Sequence, residues 1–389
     1  MASEKRRVLF VCHDFCAQNL PLQPWRYIHE LASGLGKHDF SIFLLTNGDA
    51  DRESGRQAGG YKVLKIDRLS PGNRKKMREC ISSLAVDCVV WSLTPSSIAY
   101  RPLFKTLQVP VWGLFNYPIY QYRELASALK HVSFKDLRQY YRNWAVPSFL
   151  MVPFLNSDLI KGIFCQSLRN IERLHEQGVR KEKLHHLPPG LDHESWKPDS
   201  KAELRPNFTF VYAGSIREIR GINILISSFC TALRENPGIR LRILARGSDD
   251  REVRDLRERC RRKGCEENIE IEGGWLELDD LKQRIAESHS VILPFLLVPS
   301  EMPLAFLEVL AMGKPVIGTD LDGIPEMIGE CGIIVKPGDQ KQLVDALISM
   351  SRDKHSYALM KENCIQKMSK YPSWTDSITR LSGFILDQV

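Results

Sequence analysis

Pro299-Ser300-Glu301-Met302-Pro303-Leu304-Ala305-Phe306-Leu307-Glu308-Val309-Leu310-Ala311-Met312-Gly313-Lys314-Pro315-Val316-Ile317 follows the apolar run Val291–Pro294. It turns at the prolines, opens a helix, stops that helix at Gly313 and enters a second apolar run. Strand, helix and strand in so short a span form the repeating unit of a parallel α/β layer. The turn before the helix sets the backbone N–H groups of Met302, Leu304 and Ala305 at a helix N-terminus. Unpaired donors and the helix dipole make such a terminus attractive to a diphosphate. Glu308 lies further along the same helix. Its carboxylate repels phosphate but is suited to accept hydrogen bonds from ribose hydroxyls.

The same alternation extends outward in both directions. Around this unit, strands are expected at Phe208–Tyr212, Leu241–Ala245, Ile269–Ile271, Pro315–Gly318 and Ile333–Val335. An earlier series comprises Val8–Cys12, Ser41–Leu45, Lys62–Ile66, Cys88–Trp91, Val109–Gly113 and Gly162–Cys165. Each series predicts one doubly wound, Rossmann-like sheet. Between them stands Leu187-Pro188-Pro189-Gly190-Leu191-Asp192, followed by Trp196-Lys197-Pro198 and a polar stretch to Pro206. Pro-Pro-Gly interrupts regular structure. The expected division is residues 1–200, residues 201–372 and a closing segment 373–389. Two such domains facing across a cleft place a ligand at the carboxyl ends of both sheets.

Composition supports a globular chain: of 389 residues, 43% are hydrophobic and 26% charged, the balance of a folded domain. No run approaches the roughly 18 apolar residues that span a bilayer. Met1-Ala2-Ser3-Glu4-Lys5-Arg6-Arg7 passes straight into Val8–Val11, and the apolar stretch ends at His13-Asp14, too soon for a signal peptide. A cytoplasmic location is the expectation. The ten cysteines contain no CxxC pair, which points to reduced core thiols rather than a metal site.

Residues 1–198 carry a net charge of +10 and residues 199–389 a net of −3. The basic half is compatible with an anionic membrane surface on the cytoplasmic side or an anionic substrate; no motif supports nucleic acid. Between Tyr120 and Phe154, aromatic and apolar residues (Tyr122, Leu125, Tyr140, Tyr141, Trp144) alternate with Lys130, Lys135, Arg138 and Arg142. This is a helical insertion that either lies on a membrane surface or packs on its own domain.

A second anion site is readable at Ala213-Gly214-Ser215-Ile216-Arg217-Glu218-Ile219-Arg220-Gly221, a strand, a glycine turn and a helix start with two arginines. Arg220 is placed for bidentate bonds to phosphate oxygens. His13 and Asp14 follow the first strand and face the cleft. Asp49-Ala50-Asp51 has the form of a metal-binding DxD but sits in a polar loop and reads as a solvated turn. Walker loops, zinc spacings and nucleophile elbows are missing, and no G-x-G-x-x-G follows the first strand.

Together these motifs carry a resemblance. The run Glu301–Asp339, with Thr319-Asp320-Leu321-Asp322-Gly323-Ile324-Pro325-Glu326-Met327-Ile328 and Gly332-Ile333-Ile334-Val335-Lys336-Pro337-Gly338-Asp339, resembles the donor-binding region of family 4 retaining glycosyltransferases, which have the GT-B architecture. Leu187–Asp192, the Gly214…Arg220-Gly221 turn and Tyr371-Pro372-Ser373-Trp374 add to it. The resemblance covers residues 160–389 well and the first 115 loosely.

It implies transfer of a hexosyl or N-acetylhexosaminyl group, with retention. The donor would be a nucleotide-diphosphate sugar, the acceptor a hydroxyl of a sugar, glycolipid or lipid-linked carrier. No cofactor is tightly bound and no metal is required. The closing helix crosses back to the first domain.

Donor contacts would fall to Gly214, Ser215, Arg217, Arg220, Ser300, Glu301, Met302, Pro303, Leu304, Ala305 and Glu308. Arg220, Glu301 and His13 would be catalytic, and His13, Asp14 and Asn116 would meet the acceptor. The chain also departs from the family. Two glutamates eight positions apart are usual, but eight positions before Glu308 stands Ser300, with Glu301 one step late. Ser215 replaces an arginine, Arg220 a lysine, Asn116 a histidine, and Pro21-Leu22-Gln23-Pro24-Trp25-Arg26 a glycine pair. A non-catalytic nucleotide-sugar-binding protein and a nucleotide-sugar 2-epimerase remain as alternatives of the same architecture.

Overall fold

The computed structural model of the protein describes residues 5–38, 40–48 and 60–386, so Asp49-Ala50-Asp51 lies outside the described residues. The first sheet comprises β1 (Arg6–Val11), β2 (Phe40–Thr46), β3 (Tyr61–Lys65), β4 (Cys88–Leu93), β5 (Val111–Phe115), β6 (Gly162–Cys165) and β7 (Leu184–His186). Its strands are parallel in the order β3-β2-β1-β4-β5-β6-β7. The second comprises β8 (Thr209–Gly214), β9 (Arg240–Arg246), β10 (Ile269–Gly274), β11 (Ser290–Leu293), β12 (Val316–Thr319) and β13 (Gly332–Val335). It is likewise parallel, in the order β10-β9-β8-β11-β12-β13.

Strand order reverses between β1 and β4 in one sheet and between β8 and β11 in the other. Crevices open at such reversals, outside the carboxyl ends of the strands. All twelve expected strands are present. The additional strand is β7: its Leu-His-His sequence is too short and polar to register as an apolar run.

Central strands read as continuous apolar runs because helices cover both faces. Every residue of β11 and β12 is buried. The helix Leu304–Ala311 is buried nearly all round, since helix Lys354–Ser369 packs over its outer side. Phe306 on it is fully buried, worth about 1.5–3 kcal/mol for that side chain alone.

The final helix, Trp374–Leu386, packs on helix Trp25–Gly36 of the first sheet's domain. Ile378, Leu381 and Ile385 join the core of β1, β2 and β4. A Cβ on Gly34 would meet Ile378 Cδ1 at 2.0 Å, so a larger residue there would force Ile378 to shift.

Three helices, Tyr122–Leu129, Phe134–Trp144 and Ser148–Leu155, lie between β5 and β6. They bury Leu125, Leu137, Tyr140 and Phe154 but leave Tyr122, Phe134, Trp144, Phe149 and Leu150 exposed. The expectation of wholly reduced cysteines needs correction: Cys230 and Cys265 are joined by a disulfide, with Cα atoms 5.6 Å apart. A separation of 35 residues leaves no motif; the pairing arises from how helix Ile222–Glu235 packs beside the loop before β10.

Candidate active site

A cavity of about 180 Å³ lies between the domains at the carboxyl ends of β8, β9, β10 and β11. From the second domain it is lined by Tyr212, Ala213, Gly214, Ser215, Arg220, Arg246, Trp275, Phe295, Pro299, Ser300, Pro303, Leu304, Ala305 and Glu308. From the first come Pro21, Leu22, Gln23 and Arg26. Of the expected donor contacts, Gly214, Ser215, Arg220, Ser300, Pro303, Leu304, Ala305 and Glu308 therefore share one wall.

Local geometry explains the convergence. Pro303 caps helix Leu304–Ala311 in an extended conformation, so the N-terminus of the helix, with its unpaired N–H groups, lies at the cavity wall. The turn after β8 is held by the Tyr212 hydroxyl, which donates to the Ser215 carbonyl at 2.5 Å. Gly221 then starts helix Ile222–Glu235 with φ +77°. A Cβ there would lie 1.9 Å from the Pro294 carbonyl oxygen. That close approach brings Arg220 beside the exit of β11, with its guanidinium 4.7 Å from the centre of the Phe295 ring.

Three cations, Arg26, Arg220 and Arg246, face one carboxylate, Glu308, in this cavity. Arg26 Nη1 donates to Glu308 Oε1 at 2.6 Å, an ion pair between the domains. Burial raises the pKa of Glu308, and Arg26 is the strongest influence opposing it. The Arg246 guanidinium sits 4.7 Å from the centre of the Trp275 ring. Two groups of the wall find no hydrogen-bond partner among the described residues: Arg246 Nε and the side-chain amide of Gln23. Buried polar groups are rarely left so.

Other expected residues lie elsewhere. Glu301 does not line the cavity but is wholly buried at the domain boundary. The Ser167 N–H donates to its Oε2 at 2.8 Å, and Asp322, which takes a very short hydrogen bond from the Ser167 hydroxyl, lies beside it. Burial, reinforced by the neighbouring Asp322 charge, pushes the Glu301 carboxyl well above its ordinary range; burial likewise raises Asp322. The one-residue displacement thus puts Ser300 in the cleft wall and turns Glu301 away.

Met302 is also turned inward, packed against Gly323. Arg217 does not line the cavity: it is half exposed and pairs across the domain boundary with Asp136 of helix Phe134–Trp144 at 2.9 Å. It is the residue before the turn Glu218–Arg220.

The acceptor candidates stand at the carboxyl ends of the first sheet. His13 Nε2 lies 3.2 Å from the Tyr100 hydroxyl. Burial lowers its pKa, which favours the neutral ring. Asp14 occupies the left-handed region at φ 52° and is held by Asn47, whose side-chain amide donates to Asp14 Oδ1 at 3.0 Å.

Asn116 is buried and accepts from Gln166 Nε2 at 3.0 Å. Gln166 Oε1 in turn accepts from the Ser300 hydroxyl at 3.3 Å. A chain of hydrogen bonds therefore runs from Asn116 at the end of β5 to Ser300 in the cavity wall, across the domain boundary. Sequence reading missed Gln23, Arg26, Arg246 and Trp275. The signal available for Arg246 and Trp275 was their place at the carboxyl ends of β9 and β10.

Two parallel, doubly wound sheets with a cleft between them are the GT-B fold of glycosyltransferases. A sucrose-phosphate synthase from Thermosynechococcus elongatus superposes with a TM-score of 0.76 at 14% identity, covering 98% of each chain. Anabaena HepE, solved in complex with UDP, superposes with a TM-score of 0.72 at 15% identity, covering 98% of this chain and all of that one. Residues 207–353 match the family described as glycosyl transferases group 1. Among curated relatives, mannosylfructose-phosphate synthase of Agrobacterium fabrum is 22% identical over 54% of this chain and 49% of its own. The chain spans about half the length of the curated relatives it matches first.

Proposed function

We propose that the protein is a retaining glycosyltransferase of family 4. It moves a hexosyl or N-acetylhexosaminyl group from a nucleotide-diphosphate sugar to a hydroxyl of a sugar, glycolipid or lipid-linked acceptor. The observation that carries this reading is the single cavity in which Arg220, the N-terminus of helix Leu304–Ala311 and the carboxylate of Glu308 face one another. Cation and free N–H groups suit a diphosphate, and the carboxylate suits the ribose beside it.

Catalysis here is electrostatic. The diphosphate leaves with its charge held by Arg220 and the helix N-terminus, and on departing it takes the proton of the acceptor hydroxyl on the same face of the sugar. Fixed donors aimed at developing charge are the most effective single device for such a step.

The test is calorimetry and thermal shift with UDP, GDP, ADP and their sugar conjugates. Stabilisation by one nucleotide, lost in Glu308→Ala, is the expected result. No response to any of them removes the reading.

One observation favours a second reading, a binding protein without turnover: Ser300 stands in the cleft wall where the family has a glutamate, and Glu301 is buried away from it. Release of free nucleotide from a bound nucleotide sugar, with or without an acceptor, decides against that reading.

We infer further that the protein docks on an anionic membrane through the helices between β5 and β6. Among the described residues, Tyr122, Phe134, Trp144, Phe149 and Leu150 are exposed there, interleaved with Arg123, Lys130, Arg138 and Arg142. Exposed aromatics beside cations suit a lipid interface. Equal sedimentation with neutral and anionic vesicles would count against it. No helix among the described residues is long and apolar enough to cross a membrane.

A further inference from the structure

The ion pair between Arg26 and Glu308 sits where the proposed donor must go, and resting on that reading we propose that Arg26 is exchanged on donor binding: it gives up Glu308 to the ribose and turns to the diphosphate. The family resemblance assigns nothing to Arg26, which stands where a glycine pair is usual.

Three observations carry the exchange. The first is occupancy. Arg26 Nη1 already takes Glu308 Oε1 at 2.6 Å, so a ribose that uses both oxygens of that carboxylate competes with the guanidinium for one of them. The cavity that Arg26 helps to close measures about 180 Å³, below the roughly 300–1,000 Å³ usual for ligand clefts. Opening the pair and admitting the donor are therefore one event.

The second is charge. A bound diphosphate brings about two negative charges to the N-terminus of helix Leu304–Ala311. Arg246 stands in the wall at the end of β9, over the Trp275 ring, and Arg217 is paired with Asp136 outside the cavity. Ser215 is uncharged. Arg220 is then the one cation that the second domain offers at the turn after β8, and Arg26 stands across the cavity from it in the first domain.

The third is reach. Glu308 and Leu304 are four residues apart on one helix, about 6 Å along its axis. A guanidinium that leaves the carboxylate needs to swing by about one helical turn to meet the phosphate oxygens. Its own backbone is anchored, because the Arg26 N–H donates to the Leu22 carbonyl at 2.9 Å.

The exchange makes affinity depend on the phosphates in a way that a simple lock does not. A nucleoside without phosphates must break the pair and leave Arg26 without a partner. A nucleoside diphosphate breaks it and supplies a new partner. Because Arg26 belongs to the first domain and Glu308 to the second, the same step couples donor binding to the setting of the two domains.

The test is calorimetric titration of the full chain with UDP, GDP, uridine, guanosine and inorganic pyrophosphate, repeated on Arg26→Ala and Arg26→Lys. Circular dichroism and melting curves check each variant for folding. Arg26→Ala is expected to weaken the tightest nucleoside diphosphate about ten- to a hundredfold, to weaken pyrophosphate likewise, and to leave its nucleoside unchanged or tighter. Arg26→Lys keeps the charge, should recover part of the loss, and serves as the measurement should the alanine variant not fold. An unchanged ratio of nucleoside to nucleoside diphosphate affinity, or tighter diphosphate binding in Arg26→Ala, overturns the exchange alone. No binding of any of these to the unaltered protein overturns the donor reading, and the exchange with it.

Discussion

Replacing Arg220 tests the electrostatic core of the proposed mechanism. Its guanidinium lines the cleft and leans on the Phe295 ring at 4.7 Å; no other group is asked to order it. Arg220→Ala removes about 0.5–1 kcal/mol of cation–ring attraction, which is small against the stability of a domain, so the variant should fold and melt close to wild type. What it removes from the reaction is a fixed, charged donor at the leaving diphosphate. Such a contact contributes about 2–4 kcal/mol to the barrier, or about 30- to 1,000-fold in rate.

Because the charge on the leaving group grows as the bond breaks, most of the loss should fall on kcat rather than KM. Arg220→Lys keeps a point charge without the planar fork and should recover part of the loss. The assay is initial-rate release of nucleotide from whichever nucleotide sugar calorimetry selects, over a range of donor concentrations. A kcat for Arg220→Ala within a few-fold of wild type refutes the assignment and moves the task to the helix N-terminus and Arg26.

Other perturbations address the surroundings of that contact. Glu308→Ala should raise the Kd of the selected nucleoside diphosphate about 10- to 150-fold, the range for lost hydrogen bonds to a charged group; an unchanged titration would remove its ribose role. Gly221→Ala forces a side chain to φ +77° and within 1.9 Å of the Pro294 carbonyl oxygen, so a loss of at least about 2 kcal/mol is expected, read as the denaturant midpoint. Asp322→Asn addresses the buried carboxylate pair. Both carboxyls have folded pKa values raised by burial, so the protonated pair is favoured and its contribution is full below the ordinary carboxylate range. That contribution is lost as pH rises through the raised values. The melting temperature of Asp322→Asn relative to wild type should therefore climb with pH, and a difference that stays constant with pH would show that folding does not raise the Asp322 pKa.

The architecture was legible because it is carried by local pattern. Apolar runs of strand length such as Ser290–Leu293 and Val316–Thr319, buried on both faces, read the same way whatever surrounds them. β7 escaped because Leu184–His186 is held by its neighbour β6 and by little in its own composition. The grouping of these residues in one cavity wall was legible for the same reason: Gly214, Ser215 and Arg220 lie on one continuous turn, and Pro303, Leu304, Ala305 and Glu308 on one turn and helix. The direction of a side chain in an irregular turn is a different matter. Ser300 and Glu301 are adjacent, yet one faces the cleft and the other the buried Ser167 and Asp322. Neither strand nor helix periodicity applies before Pro303, so spacing from Glu308 told where a carboxylate stands without telling where it points.

Charge shows the same limit from the opposite side. The first half of the chain is strongly basic and the second slightly acidic, which would assign an anionic ligand to the first. The cleft reverses this: Arg220 and Arg246 come from the acidic half and only Arg26 from the basic one. Most acidic groups of the second domain are spent elsewhere, as in Glu270, Glu272 and Glu287 around Arg242 or Glu258 beside Arg261 and Arg262. A net charge sums these without regard to place, whereas a ligand meets only what the strand ends bring into one cavity. Arg26 and Glu308 are 282 residues apart, and no spacing rule joins them. Their pairing exists only because two doubly wound sheets present their carboxyl ends to each other, so the contact most exposed to the donor is also the one least visible before folding.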